Sequence, residues 1–406
     1  MLDIEKIRRD FPMFQNNPDL IYFDSAATSL KPMCVMDAVS DFYACHTSNV
    51  HRGDYAIAAE NDRLYDQTRA SIGKLINCDP KEVCYTFNVT HALNQVAFAL
   101  GHDVLKKGDV VLLTKAEHAS NLLPWFRMEQ ESGIKVEYIP TDKEANIHME
   151  DFRKAMHEGV KVVSVAMVTN VLGSIQPIKE MTKIAHEYGA LMVVDGAQSV
   201  PHMKVDVKDL DVDFLGFSGH KMCGPGGIGV LYAKKEHLEK MAPMFMGGDM
   251  NARFKSDGSY ILKDVPVRFE AGTPNIEGVI GMGAAAEYLM SIGMDNIHAY
   301  EKELRTYFCN KMKELDNIEI YNEDNEYGPL AFNAKGVFAQ DAAGYLASKN
   351  IAVRSGNHCA KILHEIIGTD QTVRASLYFY NTKEEVDRFV EEAKNISIEN
   401  AIGIFF

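Results

Sequence analysis

A carboxylate at Asp195 and an amine at Lys221 are the two groups whose setting in this chain most strongly suggests chemistry. Leu191-Met-Val-Val-Asp195 is an apolar run closing on a charge, the pattern of a strand buried on both faces. Asp213-Phe-Leu-Gly-Phe217 is a second such run, and it delivers Ser218, Gly219, His220 and Lys221 into a turn. Strand ends in a parallel α/β sheet collect ligand groups along one edge, so acid and amine are predicted to face one pocket. Pyridoxal phosphate needs such a pair. A lysine amine holds its aldehyde, and an anion beside the ring nitrogen keeps the ring protonated so that it can accept electrons. The competing reading is an Asp195 that caps a turn and a solvated Lys221. Glycines at 224, 226, 227 and 229 imitate a nucleotide loop, but no GKS or GKT follows and the run leads into a strand over 228–233.

Other polar groups fall at similar places. Thr90 stands where a helix begins, and exposed amides there make either a phosphate seat or a simple N-cap. Its neighbour His91 either adds a phosphate donor or faces solvent. His118 follows a strand over 109–114 and offers a face to stack on a pyridine ring and a nitrogen to handle protons. Asn170 follows a strand over 160–167; its amide suits the cofactor's phenolic oxygen, a substrate carboxylate, or the turn itself. Gln198, three residues after Asp195, is another donor to the phenolic oxygen. Arg374 lies within an apolar run, either paired structurally or acting as a carboxylate clamp through its planar fork. His51 and Arg52, in a polar loop ahead of a helix predicted over 56–76, read as solvated. Cys359 lies in the polar loop Arg354-Ser-Gly-Asn-His-Cys-Ala360, where Arg354 and His358 favour its thiolate; Cys223, next to Lys221, competes with it.

At 406 residues the chain exceeds one ordinary domain, and 46% hydrophobic with 24% charged residues suits a globular protein. A net charge of −15 argues against nucleic acid or an anionic membrane as the main partner. The opening MLDIEKIRRDFPMF fits neither a signal peptide nor a membrane span, which predicts a cytoplasmic protein. Seven scattered cysteines without a CxxC pair read as free thiols, with no metal site. Strands predicted near 20–24, 83–87, 109–114, 160–167, 191–195, 213–217 and 228–233 alternate with helices over 56–76, 92–100, 179–188 and 276–292, which is an α/β pattern. After a helix over 294–315 come strands near 318–321, 330–334 and 351–354, an apolar run over 373–380, and helices near 341–349 and 383–396.

DGAQSVPH at 195–202, SGHKMCGPGGIGVLY at 218–232, FEAGTPN at 269–275 and VRSGNHCA at 353–360 carry a resemblance that runs nearly end to end. The chain resembles the fold-type I pyridoxal-phosphate enzymes of aminotransferase class V, and within them the group II, SufS-type cysteine desulfurases. The resemblance implies a large domain, 25–290, with a mostly parallel seven-stranded sheet between helices. It also implies a small α+β domain made of 1–24 and 291–406. It implies a transferase that converts L-cysteine to L-alanine and leaves the sulfur on Cys359 as a persulfide. That sulfur would pass to a SufE- or SufU-like acceptor for iron–sulfur cluster assembly. Lys221 would anchor the cofactor and act as base at Cα, with Asp195, Gln198, Asn170 and His118 around the ring. Thr90, His91, Ser218 and His220 would hold the phosphate, joined across a homodimer by Thr273. Arg374, Arg354 and Asn170 would bind substrate, and His51 and Arg52 would reach the partner subunit's site. The matching RxGxHCA motif selects Cys359 over Cys223. A selenocysteine lyase acting on L-selenocysteine, or another class V lyase or aminotransferase, is the alternative with the same Asp195, Gln198 and Lys221. A non-catalytic sulfur carrier is a further one.

Overall fold

The computed structural model describes residues 2–403 of the chain. Its centre is a seven-stranded sheet. The strands are β1 (Val83–Thr86), β2 (Val110–Leu113), β3 (Lys135–Tyr138), β4 (Val160–Ala166), β5 (Leu191–Asp195), β6 (Phe214–Ser218) and β7 (Gly229–Ala233), in the spatial order β1-β7-β6-β5-β4-β2-β3. β2, β3, β4, β5 and β6 pair in parallel, and β7 runs antiparallel to both β6 and β1. Valine and leucine dominate β2, β4 and β5 because both faces are covered. Val110 and Leu112 join the core on one side of the sheet, Val111 and Leu113 the core on the other. Each such fully buried side chain contributes roughly 1.5–3 kcal/mol relative to exposure.

Helices cover both faces: α1 (Ala56–Ile76), α2 (Val89–Ala99), α3 (Ala119–Ser132), α4 (Ile178–Glu187) and α5 (Ile276–Ile292). α1 and α5 span the residues expected of them, and α1 stops where Asn77 takes the left-handed conformation at φ 57°. α3 was not expected, and it carries Pro124 in its interior. Gly229 is a packing glycine: a Cβ there would lie 2.7 Å from the Cα of Asn88, which begins α2.

α6 (Met294–Lys313) leads to a four-stranded antiparallel sheet of β8 (Ile318–Ile320), β9 (Leu330–Ala334), β10 (Arg354–Gly356) and β11 (Thr372–Ala375), ordered β8-β9-β11-β10. Phe23, Phe308, Phe332 and Phe389 pack in its core. The predicted strand at 351–354 is divided. Ile351–Ala352 pairs with Ile21–Tyr22, while Arg354 starts β10. The run over 373–380 leaves the sheet after Ala375 because Asn381 closes a turn onto Tyr378. Tyr378, Phe379 and Tyr380 instead join Phe11 and Phe14 in the core of the large sheet. The two sheets meet through bare backbone at Gly173 and Gly328, where a Cβ on Gly173 would lie 2.4 Å from the Tyr327 carbonyl oxygen.

The amino rim of β6 is held by charge. Buried Asp213 accepts from the Met192 amide (2.7 Å), His186 Nε2 (2.8 Å) and His237 Nε2 (3.1 Å), with Lys234 Nζ at 3.1 Å. Burial alone would raise its pKa, but these donors outweigh it and hold the carboxyl well below the usual range. A depressed folded pKa gives stability that is present above the unfolded value of about 3.9 and is lost as pH falls through the folded one. Asp213→Asn should therefore cost about 2–3 kcal/mol at pH 7. Urea midpoints of the two proteins should converge as pH drops below 3.

Candidate active site

Every chemically suggestive strand ends on the carboxyl rim of the large sheet, where ligand groups of such sheets gather. β1 leads to Asn88 and Thr90, β2 to His118, β4 to Asn170, β5 to Asp195 and Gln198, and β6 to Ser218, His220 and Lys221. A cavity of about 210 Å³ is lined by Thr90, His118, Asn170, Asp195, Gln198, Ser218, His220 and Lys221, with Arg354, His358 and Arg374 from the small sheet's side.

Asp195 closes β5, Lys221 lies in the turn that follows the neighbouring β6, and both line this cavity. Asp195 is buried and its Oδ1 accepts from the Ala197 amide at 2.9 Å. Burial raises its pKa, and the Ala197 amide and Lys221 pull it back down. Lys221 is lowered to about 8, first by burial and then by Arg374 and Arg354, against the pull of Asp195. An amine so placed is partly neutral near physiological pH and able to attack an aldehyde.

His118 is the N-cap of α3. Its Nδ1 accepts from the Ser120 amide at 3.1 Å, which puts the ring proton of the neutral form on Nε2. Burial, Lys221 and the two arginines lower it to about 4, so the ring is neutral at pH 7. Ser120 Oγ lies 2.7 Å from Thr90 Oγ1 and 3.0 Å from His118 Nδ1, joining two predicted residues through one that was not. At the start of α2, Asn88 accepts from the His91 amide and Ser218 Oγ accepts from the Val89 amide at 2.9 Å. The Thr90 amide has no protein acceptor among the described residues, so this helix start offers an N–H and two hydroxyls to an anion. The His220 ring lines the same cavity, lowered to about 4 by burial, Lys221 and Lys31.

The cavity also has an end suited to a carboxylate. Arg354 and Arg374 stand directly opposite across β10 and β11, a like-charge pairing that an anion would relieve. Arg374 is 2% exposed, donates to the Asn170 carbonyl (2.9 Å) and reaches Asp24 Oδ1 (3.3 Å). Its Nε and the Asn170 Oδ1 are buried without a partner among the described residues. Asp24 escaped the sequence reading, although the run Leu20-Ile-Tyr-Phe-Asp24 ends on a carboxylate as the Asp195 run does. Gln198 donates to the Ala26 carbonyl at 2.8 Å, so part of its amide holds the turn after Asp24.

The Cys359 loop docks on this rim by its backbone. The Ala119 amide donates to the Cys359 carbonyl and Asn170 Nδ2 to the His358 carbonyl, each at 2.8 Å. His358 and Cys359 both have positive φ, 52° and 57°, a conformation that side chains disfavour and the docking holds in place. The Cys359 side chain is exposed, and a thiolate there lies within electrostatic reach of Lys221 and Arg374. Cys223, by contrast, is sealed, and burial pushes its thiol up to about 12.

Two expectations need correction. His358 cannot charge to favour the Cys359 thiolate: burial and Arg374 lower it to about 2, and its Nε2 is bonded to Thr372. His91 is outside the cavity; its ring packs against Phe87 and Phe245, and its Nδ1 accepts from the Phe87 amide. The residues expected at a partner subunit's site lie elsewhere: His51 is by Asp62 and Arg52 is bound to Asp249, neither lining the cavity of their own chain. Thr273 is exposed and also outside it, in a segment anchored by Glu270, which takes a two-point bond from Arg69 at 2.8 and 2.9 Å.

The residues present fit pyridoxal phosphate. There is an amine for the aldehyde, a buried carboxylate for a ring nitrogen, an amide-and-hydroxyl cradle for phosphate, and unpartnered buried groups at the carboxylate end. Among the described residues no helix is long and apolar enough to cross a membrane.

Comparison with known proteins gives the family and the fold. The family model described as aminotransferase class-V matches residues 21–389. A probable cysteine desulfurase of Halalkalibacterium halodurans is 43% identical over 390 residues, 95% of this chain and 96% of that one. The apo structure of a cysteine desulfurase from Thermococcus onnurineus superposes with a TM-score of 0.93 at 39% identity, covering 97% of this chain and 98% of that one. A cysteine desulfurase structure from Escherichia coli gives 0.91 at 34% identity, covering 100% and 99%. The fold is therefore one shared with solved cysteine desulfurases, and the chain belongs to the aminotransferase class-V family.

Proposed function

We propose that this chain is a pyridoxal-phosphate-dependent cysteine desulfurase that takes sulfur from L-cysteine onto Cys359 and releases L-alanine. The observation that carries the reading is that Asp195 and Lys221 line one cavity, with the loop of an exposed thiol docked on the same rim. When bound, the cofactor supplies an aldehyde that captures amines and a protonated ring that accepts the electron pair left at Cα. Asp195 holds negative charge beside that ring nitrogen. Lys221 Nζ would anchor the aldehyde, and once released from it would accept the Cα proton and return it. Arg374 and Arg354 would hold the substrate carboxylate. His118 would lie over the ring and offer its Nε2 proton, while Thr90, Ser218 and His220 would hold the phosphate. Cys359 Sγ attacks the substrate sulfur: a sulfur–sulfur bond forms and the carbon–sulfur bond breaks. Its electron pair stays with the carbon fragment, which gains protons and leaves as alanine.

The division into a large unit, 25–290, and a small one, 1–24 with 291–406, belongs to the same proposal, with the small unit presenting the cysteine loop. So do a homodimer, in which Thr273, His51 and Arg52 serve the neighbouring site, and a SufE- or SufU-like acceptor that carries sulfur to iron–sulfur assembly. A cytoplasmic setting is proposed on the seven unpaired cysteines. The test is mass analysis after incubation with pyridoxal phosphate and cysteine. One extra sulfur atom on the Cys359 peptide, with matching alanine, is expected. Alanine with free sulfide and no labelled peptide would point to a lyase instead.

A further inference from the structure

Glu117 is 1% exposed, and the chemistry above does not use it. Its Oε1 accepts from Thr114 Oγ1 at 2.7 Å, at the end of β2. Its Oε2 accepts from the Ala166 amide, at the end of β4, and from Asn121 Nδ2, in the first turn of α3, both at 2.8 Å. Asn121 is fixed in turn by Ser164 Oγ at 2.6 Å. Ala166 is the register partner of Asp195 across β4 and β5, and His118 follows Glu117 in the chain. One carboxylate thus ties the ends of β2 and β4 to the start of α3, whose N-cap is His118, and its partner Ala166 lies beside Asp195 at the end of β5. Asp195 is the charged group facing it from a neighbouring strand, itself faced by Lys221; Thr114, Asn121 and the Ala166 amide are neutral donors.

We propose that Glu117 is a positioning residue: it fixes His118 and Asp195 relative to each other and adds a second buried negative charge to the field at Asp195. Burial, with Asp195 adding to it, raises Glu117 to about 7 against its three donors, so its charge is adjustable in the range where such enzymes work. The inference rests on the cofactor reading above.

Glu117→Gln keeps the shape and removes the charge: the amide oxygen can still accept from Asn121 and Ala166, while the amide nitrogen takes the place facing Thr114, whose hydroxyl must turn to accept from it. The measurement is the pH midpoint of the visible absorption of bound pyridoxal phosphate. A weaker negative field holds the cofactor's proton less tightly, so the midpoint should fall by about one unit in E117Q. In the apo protein, a carboxylate raised on folding costs stability progressively above its unfolded value of about 4.3. The melting temperature of E117Q relative to wild type should therefore rise between pH 5 and pH 8. Should E117Q fail to fold, Thr114→Val withdraws one donor, leaves less charge on Glu117 and should move the midpoint the same way. A midpoint that stays put in a folded variant overturns the inference. A wild-type protein with no visible band overturns the cofactor reading, and this inference with it.

Discussion

Lys221→Ala should lower alanine release from cysteine by at least roughly 1,000-fold while leaving the protein folded. The amine is the one group in the cavity that combines nucleophilicity with the ability to shuttle a proton, and burial keeps it partly neutral at about 8. His118 and His220 cannot replace it as bases at ordinary strength, since burial and the surrounding cations hold both near 4. Folding should survive because Lys221 contributes a cation whose burial is unfavourable, and removing it leaves Asp195 still bonded to the Ala197 amide. The variant should also lose the wild-type visible absorption with pyridoxal phosphate. Retained desulfuration would show that the assignment of Lys221 is wrong.

Cys359→Ser should separate cofactor chemistry from sulfur capture. The loop is fixed through main-chain carbonyls of His358 and Cys359, which serine leaves in place, so binding of pyridoxal phosphate and cysteine should be unchanged. Protein-bound sulfur should fall to background and alanine formation slow by roughly 100-fold or more, since a hydroxyl is a poor nucleophile towards sulfur. Cys223→Ser is the matched control. Its thiol is buried and pushed up to about 12, so the persulfide yield should not change. An undiminished yield in Cys359→Ser would move the acceptor to another thiol.

Much of the scaffold was legible because a sheet covered on both faces demands continuous apolar runs, and the runs at Leu191–Asp195 and Phe214–Ser218 end in charge or hydroxyl at one rim. The Asp195–Lys221 pair followed from that pattern alone. α3 was missed because Pro124 breaks the helical signal locally, although tertiary packing of Leu122, Trp125 and Met128 keeps the helix. Asp24 and Glu117 were missed because their work is to hold Arg374 and the strand ends, and holding depends on neighbours distant in sequence. His91 was misplaced for a geometric reason. Neighbouring residues on a helix point about 100° apart, so Thr90 faces the cavity while His91 turns to Phe87 and Phe245. His358 sits next to the exposed cysteine in sequence, yet a left-handed turn sends its ring inward to Thr372.

The placement of Asp213 has a consequence for how this molecule can change over generations. Its basic neighbours His186, Lys234 and His237 clasp the sheet at the border opposite Lys221. Anchorage and reactivity are thereby assigned to different borders of one slab. Drift at the clasped border alters tolerance to acid while leaving reactivity alone, and drift at the other alters what is transformed without loosening the whole.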